Sequence, residues 1–315
     1  MTSSLRLSPR DLGLLALLTL SWGLNWPVMK VGVTDFPPMT FRLLCMLGAV
    51  PVVGIVARSM GVSLRVQRDD LAELAVLVLS NMVLWVVLTT YGVLLLASGR
   101  AAILAYTMPI WAALLGIVLY GEHPSRRLWI GVAAAALGVL LLVANELTTM
   151  AGRPVGTLLM LSASLVWGYG THRMRWRRTR MHVLAITFWS LASAFVVCLA
   201  IVWALERDAW TQSPGVAGWG AVIFNATVIF GFAQPVWFRL ATILPPVASG
   251  LSVMLIPVLG LFSGILLLEE RAQWTDWSAL AAVSGARVNG SAPRPRSAPS
   301  ARRRRRRTRS PDTSS

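Results

Sequence analysis

Acidic residues are scarce in this sequence, and none lies in the middle of an apolar stretch. Asp and Glu together number 13 in 315 residues, and Asp11, Asp35, Glu73, Glu206 and Asp276 all fall at the edges of such stretches. That excludes a carboxylate relay for protons at the centre of a membrane; a carboxylate near the end of a span remains available for coupling. Cysteine is almost absent. Cys45 and Cys198 sit inside apolar stretches, where they read as small hydrophobes, and no CxxC or Cys/His spacing suggests a metal site or a disulfide framework. The three histidines, at 123, 172 and 182, do not cluster. There is no Walker motif and no hydrolase or kinase signature. The chain therefore reads as neither an enzyme nor a metal or cofactor protein.

What is present is apolar. Hydrophobic residues make up 56% of the chain and charged residues 13%, with a mean hydropathy of +0.65. A soluble domain carries about a quarter charged residues. A bilayer core of about 30 Å needs roughly 20 apolar residues per helix, and such runs occur at 12–33, 39–58, 71–92, 100–120, 128–145, 155–172, 182–204, 217–238 and 247–268. The fold class implied is an all-α polytopic membrane protein. The first run resembles a signal peptide, but no small-residue cleavage site follows and the apolar character continues to Val33, so it reads as a retained span.

The formal charge of +16 looks like a nucleic-acid signal. Its distribution argues otherwise. Ten of the 29 basic residues lie at 287–309, and most others sit between spans. With the N-terminus in the cytoplasm, the inside segments hold 13 arginines (6, 10, 58, 65, 68, 126, 127, 173, 175, 177, 178, 180 and 239), and the outside loops hold four (100, 153, 207 and 271). The positive-inside bias thus favours a cytoplasmic N-terminus, in a multi-pass protein of the plasma (inner) membrane. The cluster from His172 to Arg180 reads as a topology anchor, and no nucleic-acid partner is expected.

The chain also repeats itself. Trp22-Gly23 in the first span is echoed by Trp167-Gly168 in the sixth. Pro109, Glu122 and Trp129 recur as Pro257, Glu270 and Trp277, an offset of 148 throughout. Together, in order and spacing, these matches indicate duplication. A unit of five spans is odd, so the second copy is inverted relative to the first. Secondary transporters are often built this way, with the substrate near the midplane between the repeats. The other reading of the same architecture is a non-transporting membrane scaffold or sensor.

The stretches SWGLNWPVMKVG and PPMTFRLL, followed by a helix with Pro109, then Gly121-Glu122 and a Gly131-containing helix, resemble an EamA-type transporter of the drug/metabolite transporter superfamily. The likeness covers roughly residues 10–283, weaker in the second copy. It implies a ten-helix fold of two inverted five-helix repeats around a central cavity. It also implies movement of small metabolites or drug-like compounds, often outward, by alternating access. It does not name a substrate. On this reading residues 10–145 form the first repeat, 153–283 the second with four spans and a stub, and 284–315 a disordered tail.

Polar residues inside spans are the site candidates. Arg42 is costly within a span unless it is paired or faces water. It reads either as a cavity charge for a carboxylate or phosphate, the family pattern having an arginine there, or as a snorkelling side chain. Lys30, the one lysine, is open to the same two readings. Asn25, Tyr91, Tyr106, Asn225 and Gln234 are polar candidates that line a cavity or join helices. Pro109 and Pro257 are expected to break helix hydrogen bonds at equivalent points and act as hinges. Glu122 and Glu270 are expected to cap helices or to pair with Arg126 or Arg271.

A tenth span, due after Trp277, fails. The text from Ser284 onward is rich in Arg, Pro, Ser and Ala, with six arginines at 302–307. Such a segment is expected to be disordered. It reads as a natural basic tail or as a change of reading frame. With nine full spans it would begin outside, against the positive-inside bias, so poor assembly is expected.

Overall fold

A computed structural model describes residues 8–120, 154–175, 177–209, 213–243 and 246–288, with isolated positions between 126 and 137. The span at 128–145, Glu122 and residues 289–315 of the tail fall largely or wholly outside the described residues.

All regular structure among the described residues is helical. The first helix, α1, spans Pro9–Asp35; Ser8 caps it by accepting the Asp11 amide at 3.1 Å, and Pro9 fills a position whose N–H would be unused. Pro37 and Pro38 stop α1 and start α2 (Pro38–Ser59). Helix α3 spans Arg68–Leu95. The fourth run divides into α4 (Ser98–Ala105) and α5 (Met108–Tyr120). In the second half, α6 is Pro154–Arg175, α7 is Val183–Glu206, and α8 covers 216–243. Helix α9 is Pro246–Leu268 and α10 is Trp274–Val288. The last of these continues past Val283, where the sequence placed the limit of the repeat. Its 15 residues amount to about 22 Å at 1.5 Å per residue.

Among the described residues, five helices (α1, α2, α3, α7 and α8) are long and apolar enough to cross a membrane. Their outward positions suit lipid: Ile55 is 69% exposed, Val118 77%, Val216 92% and Leu266 77%. In water such apolar surface would be an aggregation hazard. Inside, Phe41, Phe238, Leu18, Met39 and Met46 are fully buried. Lipid is as apolar as these side chains, so close packing and buried hydrogen bonds hold the bundle together.

The packing carries the signature of the duplication. Helix α1 lies on α9 as α6 lies on α4 and α5; α3 lies on α6 as α8 lies on α1; α2 meets α7, and α4 meets α9. Exchanging the repeats reproduces the set, as a pseudo-two-fold axis requires. Two irregularities obey the same symmetry. Helix α3 has a widened π-helical segment at Leu79–Val83 and α8 has one at Asn225–Ala233, about 148 residues apart. Such segments occur often at functional sites.

The prolines expected as paired hinges are placed differently from each other. Pro109 is the second residue of α5, just after a break at Tyr106–Thr107, where a missing N–H costs little. Pro257 lies inside the continuous helix α9. The break is held by hydroxyls: Thr107 Oγ1 donates to the Leu104 carbonyl at 2.7 Å and lies 2.8 Å from Ser164 Oγ on α6.

Candidate functional site

Arg42 is the centre of the site. It sits about one turn into α2, is 3% exposed, and points inward rather than to the membrane edge. Its Nε donates to Thr90 Oγ1 at 2.7 Å, its Nη1 to Asn225 Oδ1 at 3.0 Å, and its Nη2 contacts the Met29 sulfur. The rings of Phe41 and Phe230 flank the guanidinium at 5.2 and 5.8 Å. These partners are all neutral. Among the described residues no carboxylate lies within ion-pair distance of Arg42. Thr90 is itself anchored, donating to the Val86 carbonyl at 2.5 Å, and Asn225 Nδ2 donates to the Ala221 carbonyl at 3.1 Å, so both partners are pre-oriented.

Arg42 borders a cavity of about 50 Å³ between the repeats. Helix α1 contributes Trp22, Asn25, Trp26 and Met29; α3 contributes Trp85, Val86 and Thr89. Tyr106 and Met108 enter from the α4–α5 break, Trp167 from α6, and Ile229, Phe230 and Gln234 from α8. The tryptophans form a chain. Trp237 meets Trp22 at 5.3 Å, Trp22 meets Trp167 edge-on at 6.1 Å, and Trp167 meets Trp85 at 4.6 Å. The Trp-Gly markers of the two repeats thus touch each other. Two buried polar atoms at the cavity have no partner among the described residues: Asn25 Oδ1 and Gln234 Nε2. A buried amide left unpaired costs about 1–3 kcal/mol, so both are positioned to gain from a ligand.

Of the sequence candidates, Asn25, Arg42, Tyr106 and Gln234 line this cavity, and Asn225 is one hydrogen bond away through Arg42. Lys30 and Tyr91 do not line it. Lys30 Nζ instead donates to the carbonyls of Val93, Leu94 and Leu96 at 2.9, 3.0 and 2.8 Å. These carbonyls end α3, where a helix has unused acceptors and a negative dipole. Thr89, Thr90, Trp26 and Trp85 were not singled out from the sequence; apolar spans hold many threonines and tryptophans, and only contact with Arg42 or the cavity distinguishes these. The Trp22 and Trp167 pairing was legible as a repeat marker.

Two carboxylates close the face of the bundle on which α1 ends. Glu206, 5% exposed, accepts from the amides of Met39 and Thr40 at 2.9 and 2.8 Å and from Thr40 Oγ1 at 2.9 Å, capping α2. Glu270 accepts from the Ser98 amide at 2.7 Å, Ser98 Oγ at 2.9 Å and the Gly99 amide at 3.2 Å, capping α4. Glu270 was expected to cap a helix or pair with Arg271; it caps a helix of the other repeat. Glu269, with φ 53°, turns the chain so that Glu270 folds back.

The model of the EamA-like transporter family matches residues 12–144 and again 154–286. An uncharacterized transporter, YoaV, of Bacillus subtilis (strain 168) is 27% identical over 81% of this chain and 87% of its own length. A protein of Escherichia coli (strain K12) described as a probable amino-acid metabolite efflux pump is 26% identical over 82% of this chain and 87% of its own. The uncharacterized inner membrane transporter YedA of the same bacterium is 25% identical, covering 86% and 87%. A crystal structure at 15% identity superimposes with a TM-score of 0.66 over 90% of this chain and 98% of that one, a likeness of fold.

Proposed function

The chain belongs to the EamA-like transporter family, and we propose that it is a secondary exporter of small amphipathic carboxylates, of the amino-acid or hydroxy-acid kind, working by alternating access. Family membership makes it a multi-pass membrane protein that handles a small molecule. The substrate class is our reading, and it rests on one observation: Arg42 is buried beside the cavity with neutral partners alone. A buried charge is retained where a partner offsets its desolvation, and an anionic substrate supplies that partner.

The remaining cavity groups support the same reading. A carboxylate on Arg42 also meets the free donor Gln234 Nε2, an ammonium or hydroxyl meets the free acceptor Asn25 Oδ1, and an apolar body lies against the tryptophans. Either amide can turn to present its oxygen or its nitrogen, so each can accept from or donate to a substrate. The efflux-pump description of the Escherichia coli relative favours outward transport of such compounds. About 50 Å³ holds a few waters and not a metabolite, so on this reading the substrate enters after the repeats move apart. The arginine distribution favours a cytoplasmic N-terminus in the inner membrane.

Reconstituted protein should exchange a labelled amino acid or hydroxy acid across liposomes, with neutral sugars giving background flux. Arg42→Ala should abolish the exchange and Arg42→Lys should retain part of it, because a lysine restores the charge without the planar fork. Full exchange by Arg42→Ala would refute the substrate reading. A folded wild-type protein that moves no solute across a broad panel would return the chain to the scaffold or sensor reading.

A further inference from the structure

We infer that the face on which α1 begins carries a binding site for the phosphate of an anionic phospholipid, set between the two repeats. The site is a basin of about 740 Å³ bounded by the loop after α2 and the loop before α7. Arg65 comes from the first loop, and Arg178, Arg180 and His182 from the second; Ser63 and Gln67 add neutral polar groups, and Asp70 is the one carboxylate in the lining. Among the described residues the side chains of Arg65, Arg178 and Arg180 form no ion pair and no hydrogen bond. Two neighbouring basic groups are used otherwise. Arg173 is paired with Glu73, and Arg177, half-buried with its pKa lowered by desolvation, donates to the Met174 carbonyl at 3.3 Å.

A topological role explains why arginines lie on this face. It does not explain why both loops are held rigidly. Gly61, at φ 67°, ends α2 with the Val62 amide on the Ala57 carbonyl at 2.8 Å, the Schellman arrangement of a helix end. Trp189 Nε1 on α7 donates to the Leu64 carbonyl at 2.8 Å and clamps the first loop to the second repeat. In the second loop Thr179 Oγ1 accepts from the Met181 amide at 3.1 Å, and Met181 is buried. His182 Nδ1 accepts from the Leu184 amide at 3.2 Å, which leaves Nε2 as the donor of the neutral ring. The result is a hollow with rigidly held walls, lined by three arginines and a histidine. Phosphate is the anion whose several oxygens match multiple guanidinium forks.

The lipid, rather than a soluble phosphate, is the source we assign, because the basin lies at the ends of membrane helices and apolar side chains flank it. Met60, next to Gly61, is 63% exposed, and Leu71, next to Asp70, is 54% exposed, so acyl chains have apolar surface to follow. An occupant touches both repeats and therefore braces them on this face. The test uses the full-length protein in phosphatidylcholine nanodiscs with and without phosphatidylglycerol, and native mass spectrometry to count retained lipid. Phosphatidylglycerol should be retained in preference to phosphatidylcholine and should raise the unfolding temperature. The variant R65Q/R178Q/R180Q should bind it roughly tenfold more weakly or worse, as expected for lost charge-assisted hydrogen bonds. R68Q, an exposed arginine outside the lining, should bind as wild type does. If the triple variant fails to fold, R178Q alone should still lower retention. Equal retention of both lipids, unchanged binding by the arginine variants, or a full stabilisation by inorganic phosphate alone would each overturn the assignment. Binding is read without transport, so the outcome is separate from the fate of the substrate reading.

Discussion

The two faces of the bundle handle charge in opposite ways. On the face where α1 ends, ionic side chains are tied into backbone. Glu206 caps α2, Glu270 caps α4, and Lys30 covers the carbonyls that end α3. Arg100 adds an ion pair to Asp276 at 2.8 Å, with both side chains largely buried. On the face where α1 begins, Arg173 pairs with Glu73 across the repeats and Arg239 meets Asp11 at 3.5 Å at the periphery, while several exposed arginines, Arg65, Arg178 and Arg180 among them, have no partner among the described residues. Charge on the first face holds helix ends of different repeats together. Charge on the second is left available to something outside the chain. For an alternating-access protein the first face has several specific bonds to break before it opens, whereas the second has fewer, chiefly Arg173 with Glu73 and the Trp189 hydrogen bond to Leu64.

The contrast can be broken by substitution. Glu206→Ala should have the largest effect on stability. It strands two buried amides and a hydroxyl, a loss of about 3 kcal/mol or more, and should lower the unfolding temperature of the purified protein markedly. Glu270→Ala should cost somewhat less, about 2 kcal/mol, because that site is partly open. It should also make α4 cysteines introduced near Ser98 more reactive to a membrane-impermeant thiol reagent. Lys30→Met should cost about 1–2 kcal/mol and leave substrate affinity unchanged if the residue serves α3 alone. On the other face, Arg239→Gln should move stability by less than about 1 kcal/mol. An effect as large as that of Glu206→Ala would erase the distinction between the faces. Smallest of all, Glu269→Gly should leave stability nearly unchanged, since glycine accepts the left-handed turn, while Glu269→Val should cost about 1–2 kcal/mol.

Much of the architecture was legible because membrane burial imposes length and composition on every span. The offset of 148 between Pro109 and Pro257 anticipated a duplication that the packing pairs reproduce. The detail within spans was less legible. Nothing in Leu79–Val83 or Asn225–Ala233 announces a widened turn, because the extra residue is accommodated by tertiary contacts rather than by propensity. Pro109 marked the right neighbourhood, but the break falls two residues earlier, where the Thr107 hydroxyl ties the Leu104 carbonyl to Ser164 of α6. Arg42 stood out because charge in lipid is rare. Lys30 stood out for the same reason and was placed by different physics, the free carbonyls of a neighbouring helix end. Glu206 lay at a span edge, where sequence cannot distinguish a solvated carboxylate from one folded inward.

Arg42, the one fully buried guanidinium among the described residues, breaks the symmetry of the repeats. The repeats are related by an axis, yet α7, the counterpart of α2, has no charged residue between Val183 and Ile201. The scaffold is close to symmetric and the electrostatic field within it is not. An anion in the cavity would therefore meet a positive charge from α2 and none at the equivalent place on α7. Duplication followed by such a difference leaves two structurally equivalent repeats with unequal electrostatic character.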